Sequence, residues 1–139
     1  MMLQGAQIGG IMSDEMGILR VDVEIAHHAR PGERRVLQAV MVDTGAELSW
    51  APATVLESLG ISRVKVIRFQ QANVSVLERW VGFAIVYAEG KVTTDEVVFG
   101  EPHDLVLLGA RTLEGMNVVV DLVGKRLVGA GPVMAAVAA

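Results

Sequence analysis

The sequence predicts a mainly β domain, a closed or folded-over barrel with one or two short helices. Three observations point there. Short apolar runs alternate with polar residues at a period of two. Turn signals such as Pro31-Gly32 and Glu89-Gly90 separate those runs. One stretch only, near residue 52, carries a clear helix pattern with matching ends. About eight short strands and one helix of this kind suit a barrel better than a layered α/β fold.

The elements follow in order. Residues 1–16 mix Met, Gly, Gln and Ser without periodicity and read as a loose arm or weak first strand, with Ile8 and Ile11 as docking points. From Ile18 to Ile25, Val21, Val23 and Ile25 share one face and Arg20, Asp22 and Glu24 the other, as in a half-buried strand. Arg34 to Val42 returns antiparallel to it, beyond a loop longer than a tight hairpin turn. Apolar residues cover both faces of Val36 to Val42, so that strand is expected to be buried on both sides.

Pro52 to Leu59 reads as a short helix, with Pro52 at its first position and Gly60 as its C-terminal cap. Val55, Leu56 and Leu59 form its apolar stripe. Val64 to Phe69, Val76 to Tyr87 and Val92 to Phe99 form an antiparallel meander. Its first hairpin has a polar tip at 70–75 with Asn73 as the turn residue, and Gly82 marks a bulge or bend. Leu105 to Leu108 is a very apolar short strand ending at Gly109. Arg111 to Gly115 is one to two helical turns, and Val118 to Val120 and Lys125 to Val128 are short strands around Gly124. The domain proper is expected at 17–128, with a small, apolar tail at 129–139 that is partly disordered or lies at an interface.

The bulk numbers narrow the class. A chain of 139 residues is long enough for one domain that buries roughly two-thirds of its unfolded surface. With 52% hydrophobic and 20% charged residues, it calls for a very apolar core or a subunit interface. The net charge of −4 argues against a nucleic-acid partner or an anionic membrane surface. There is no cysteine, which excludes disulfides and thiolate metal sites. The N-terminus lacks a basic region followed by an apolar core, so no signal peptide is expected. No uncharged apolar run reaches membrane-spanning length. The expected location is the cytoplasm.

The functional question centres on Asp43. An apolar strand runs straight into Asp43-Thr44-Gly45-Ala46. A carboxylate near a core must be hydrogen-bonded, paired or neutralised. One reading is structural, with Asp43 closing a turn through its own backbone. The other is catalytic.

Val42-Asp43-Thr44-Gly45-Ala46, followed by Ser49, resembles the catalytic loop of retroviral-type aspartic proteases. Val106-Leu107-Leu108-Gly109 resembles the second hallmark of that family, two apolar residues and a glycine before a short helix. The hairpin at Phe69 to Glu78 stands where the family has its flap. The resemblance covers nearly all of 18–128 and is to the small single-domain, retropepsin-like proteins of bacterial and archaeal type.

The resemblance implies an aspartic endopeptidase acting as a homodimer, each subunit giving one Asp43 to a dyad. It implies no metal and no cofactor, and an extended peptide or unfolded segment as substrate. Thr44 would hydrogen-bond across the dimer axis, and Gly45 and Ala46 would complete the active-site loop, Gly45 facing the substrate main chain. Leu107, Leu108 and Gly109 would pack behind that loop. Gln71, Ala72, Asn73 and Val74 would form the flap tip. Glu47 stands where the family has an acid. The family's arginine follows the glycine directly, whereas here Ala110 intervenes before Arg111. The tip also lacks the glycines of retroviral flaps. These departures motivate an alternative, a catalytically weak or inactive dimerisation or peptide-binding module of the same fold.

Other candidates read as ordinary surface. Adjacent His27 and His28 belong to a turn, with rings expected on opposite sides. His103 sits with Glu101 and Asp104 in a solvated loop rather than among converging metal ligands. Asp121 is a turn residue. Arg34-Arg35 and Arg63-Lys65-Arg68 are interspersed with apolar residues and make no nucleic-acid patch. Gly5 to Gly10 lacks the Lys/Ser continuation of a phosphate loop. Trp80 and Phe83 are core or interface aromatics, and Trp50 either walls a pocket or caps the core.

Overall fold

A computed structural model describes residues 17–137; the arm read at 1–16, with Ile8 and Ile11, lies outside the described residues. The chain runs β1 (Leu19–Ala26), β2 (Arg34–Asp43), β3 (Ser49–Pro52), α1 (Ala53–Ser58), β4 (Lys65–Gln70), β5 (Val76–Ala88), β6 (Lys91–Gly100), β7 (Leu107–Gly109), α2 (Ala110–Gly115), β8 (Val118–Asp121) and β9 (Arg126–Gly129). The main sheet has the order β1-β2-β7-β3-β6-β5-β4, and β1 also pairs with β5. That pairing closes six strands into a barrel and leaves β4 as an extra strand on β5. With its two short helices, this is the retropepsin-like arrangement.

Closure depends on the length of β5, which has 13 residues. Its segment Ile85–Tyr87 pairs with Glu24–Ala26 of β1. Its first half, from Val76 to Val81, pairs with β4, whereas β6 begins to pair only at Val81. The β4–β5 hairpin therefore projects beyond the barrel wall. At the other end of β5, Glu89 and Gly90 take φ of 49° and 77°. This left-handed pair makes the two-residue turn that joins Ala88 to Lys91 in register.

The core is lined by Leu19, Val21, Val23 and Ile25 of β1, with Val86, Val97, Phe99 and Leu108. Alternation along β1 puts its apolar set inside, as expected. Its register against β2 shifts between Val21 and Val23. Ala39 there takes φ of 52°, and its N–H donates to Asp22 Oδ1 at 2.9 Å. The bulge thus has its own side-chain support. The helix α1 is six residues long and is held by burial, with Leu56 wholly inside the core.

Several expectations are corrected. β2 is not buried on both faces: Val40 alone is buried in it, and Val36 is 56% exposed. Apolar composition does not reveal whether a second face is covered, and here one side of the barrel wall is open. β3 is a strand that period-two reasoning missed. It has four residues, and it is defined by its parallel pairing with β6. Pro52 is the N-cap of α1, not its first position. His27 and His28 stack, with ring centroids 4.4 Å apart, because they lie in a loop without strand alternation. Asp104 is not merely solvated. It takes a bidentate pair from Arg79 at 2.7 and 2.9 Å. In the 129–139 tail, residues 130–137 form no regular element and are exposed.

Gly82 is explained by close approach, since a Cβ there would stand 2.3 Å from the Ser62 carbonyl oxygen. Asp121 is the turn residue expected, accepting from Gly124 N at 2.9 Å.

Candidate active site

β7 lies between β2 and β3, parallel to the first and antiparallel to the second. Met41, Val42 and Asp43 stand opposite Leu107, Leu108 and Gly109, and Trp50 stands opposite Leu107. Residues 44–48 therefore cross over the end of β7 to reach β3. The two motifs singled out in the sequence are neighbours, with Asp43 in register with Gly109.

The crossing loop is tied at several points. Ala46 N donates to Asp43 O at 3.2 Å, and Gly45 N donates to Asp43 Oδ1 at 2.9 Å. The Asp43 carboxylate is half-buried and Thr44, Gly45 and Glu47 are exposed. Ala110 N donates to Ala46 O at 2.8 Å and Arg111 N to Glu47 O at 3.0 Å. The first amides of α2, which have no partner inside the helix, are satisfied by the loop. Gly109 permits this closeness, because a Cβ there would lie 2.4 Å from Leu48 O and 3.0 Å from Ala46 O.

A buried polar chain lies behind the loop. Gly109 N donates to Ser49 Oγ at 2.9 Å, Ser49 Oγ and Thr112 Oγ1 are 2.6 Å apart, and Thr112 Oγ1 donates to Asp95 Oδ2 at 3.2 Å. A carboxylate only accepts, so the proton order follows. Thr112 gives its proton to Asp95, and Ser49 gives its own to Thr112.

The shifted arginine, Arg111, comes within ion-pair reach of Glu47 without a hydrogen bond between their side chains. Those groups are 3.8 Å apart and Glu47 is 74% exposed, so screening leaves little attraction. Arg111 Nη1 hydrogen-bonds to Glu96 Oε1, and Lys65 Nζ forms an ion pair with Glu96 Oε2. Hydrogen bonding from Lys65, aided by Arg111, holds the Glu96 carboxyl below the usual carboxylate range against the effect of burial.

The hairpin read as a flap has its tip where expected. Gln71 N donates to Ser75 O at 2.8 Å and Val74 N to Gln71 O at 3.0 Å. Asn73 Oδ1 accepts from Ser75 Oγ at 2.6 Å. Asn73 lies in the turn as expected, and Val74 after it is left-handed, with φ of 72°; Ala72 is exposed. The inner side of the hairpin puts Ile67 and Phe69 against Leu48, Trp50, Val81 and Val98, and the Trp50 and Phe69 ring centroids are 4.9 Å apart. Trp50 thus lies between the barrel wall and the hairpin.

Glu96, Thr112, Asp95 and Arg79 were not singled out in the sequence, and Lys65 and Asp104 were read only as surface charges. Glu96 had a visible signal, as the last acid before the apolar run Val97-Val98-Phe99. Thr112 had none, since its partners are 63 and 17 residues away. Among the described residues, no group of three or more His, Asp or Glu side chains could hold a metal ion. No helix among them is long and apolar enough to cross a membrane.

No protein-family model and no curated protein matches the chain. Among solved structures, the solution structure of Simian Foamy Virus (mac) protease matches with a TM-score of 0.48 and 18% identity, covering 68% of this chain and 91% of that one. This is a distant, partial structural match to a retropepsin-like fold; the fold assignment above rests on the strand order and closure.

Proposed function

We propose that the chain is a retropepsin-fold module that pairs with a second copy and binds extended peptide between residues 43–47 and the β4–β5 hairpin. We further propose that two Asp43 carboxylates, brought together by a two-fold axis, make it an aspartic endopeptidase. A single chain supports the binding module most directly, because the loop and the hairpin belong to one copy, with Leu48 and Trp50 beyond the loop packed against Ile67 and Phe69 of the hairpin. The observation that carries the reading is the Asp43–Gly109 register, which sets a half-buried carboxylate on a loop tied to β7 and α2.

Hydrolysis adds one requirement. Two carboxylates about 3 Å apart cannot both ionise readily, so they share one proton and titrate as a pair. The ionised member takes a proton from water as its oxygen attacks the peptide carbonyl carbon, and the protonated member donates toward the carbonyl oxygen. The tetrahedral intermediate then collapses: the carboxyl that took the water proton gives it to the leaving nitrogen, the C–N bond breaks, and the other carboxylate takes back a proton from the intermediate's hydroxyl as the product acid forms. Substrate would lie as an added β-strand.

The non-catalytic form of this reading is favoured by the tip, which is closed by its own hydrogen bonds and has no glycine at 71–74. One experiment separates the two. Cleavage of an unstructured peptide library is measured between about pH 4 and 6, together with peptide binding, for wild type and Asp43→Asn. Cleavage abolished in the variant supports the peptidase, and cleavage that survives refutes the dyad. Binding without cleavage, equal in both proteins, leaves the module alone.

A further inference from the structure

We propose that Glu96 is a positioning residue that links the β4–β5 hairpin to the loop carrying Asp43. What the link serves rests on the function proposed above; the link itself does not. Glu96 lies in β6 and is 9% exposed. Each of its carboxylate oxygens takes a different cation. Oε2 holds Lys65, the first residue of β4, at the root of the projecting hairpin. Oε1 holds Arg111, the second residue of α2. The Arg111 amide donates to Glu47 O at 3.0 Å, and the preceding amide, of Ala110, donates to Ala46 O at 2.8 Å.

One nearly buried charge is therefore shared by the two elements that would close on a peptide from opposite sides. Two independent surface ion pairs would each be weak and local. A shared, largely buried carboxylate differs, because loss of either half-exposed cation leaves the same charge undercompensated. The disturbance then reaches the element that kept its cation. A second tie on the hairpin, Arg79 of β5 on Asp104, belongs to a different carboxylate.

The test uses amide hydrogen exchange on the full chain, which needs no activity. Arg111→Met should raise exchange about fivefold or more across residues 65–70, which Arg111 does not carry. Lys65→Met should do the same at Ala110 and Arg111. Glu96→Gln should do both, and Arg126→Met, which breaks the exposed pair with Asp121, should do neither. Effects confined to the hairpin in Lys65→Met and to α2 in Arg111→Met would overturn the link. Should Glu96→Gln fail to fold, the two cation variants still decide. If wild type cleaves peptides, Lys65→Met should raise KM several-fold more than it lowers kcat, with Lys65→Arg restoring it. If wild type cleaves nothing, the peptidase reading fails while the exchange result still stands or falls by itself.

Discussion

Replacing Gly109 with alanine tests the way the two motifs are joined. Gly109 has φ of −95° and ψ of 175°, a conformation any residue adopts, so alanine meets no backbone strain. Its difficulty is contact alone. The new Cβ would stand 2.4 Å from Leu48 O and 2.6 Å from Leu48 C, roughly 1 Å short of ordinary van der Waals separation. The obstacle is backbone on the loop–β3 junction, held by the Ser49 and α2 hydrogen bonds, so it cannot rotate away. Overpacking of this kind costs about 3 kcal/mol. At roughly 3–5 °C per kcal/mol for a domain of this size, the melting temperature should fall by about 10 °C. Two other glycines calibrate the measurement. Gly32→Ala has nothing within 4 Å of its Cβ and no positive φ, and should be neutral. Gly90→Ala also has open space but a φ of 77°, and should cost about 1 kcal/mol. Calorimetric melts of the three variants form the assay. A Gly109→Ala protein that melts within about 2 °C of wild type would refute the close packing of loop on β7.

Other consequences are open to direct measurement. Thr112→Val leaves the buried Ser49 proton without an acceptor and should destabilise by about 1–3 kcal/mol in urea unfolding, with Thr112→Ser close to wild type. Leu56→Ala empties a fully buried position and should cost about 2–5 kcal/mol by the same measurement. Asp104 is held below the usual carboxylate range by the Arg79 hydrogen bonds. Its lowered folded pKa makes it contribute stability above its unfolded pKa, and that contribution is lost as pH falls through the folded value. Asp104→Asn should therefore be less stable than wild type by about 1–2 kcal/mol at pH 7, and the two unfolding curves should converge below about pH 4.

Much of this molecule was legible in the chain. Alternation in β1 and the Glu89-Gly90 turn are local properties, since side-chain period and allowed φ act over a few residues. The Asp-Thr-Gly-Ala stretch stood out for the same reason, as an acid at the end of an apolar strand, and the Leu-Leu-Gly stretch by its resemblance to a family hallmark. Other features depend on partners distant in sequence. β3 exists because Ser49–Pro52 pairs with Val97–Gly100, a contact with no local trace. The open face of β2 depends on what fails to cover it. The left-handed Val74 follows the expected turn residue, and its conformation is set by the hydrogen bonds of the tip rather than by its own β-branched side chain.

The sequence by itself determined the β character, the approximate place of most strands and the identity of the acid worth asking about. Tertiary structure decided that Asp43 stands in register with Gly109 and that Arg111 hydrogen-bonds to Glu96 while only approaching Glu47. It also decided that Glu96 holds Lys65 as well. The physical reason is reach. Propensity and periodicity are properties of neighbouring residues, whereas closing the barrel sets residues 43, 65, 96 and 109 beside partners that no local pattern names.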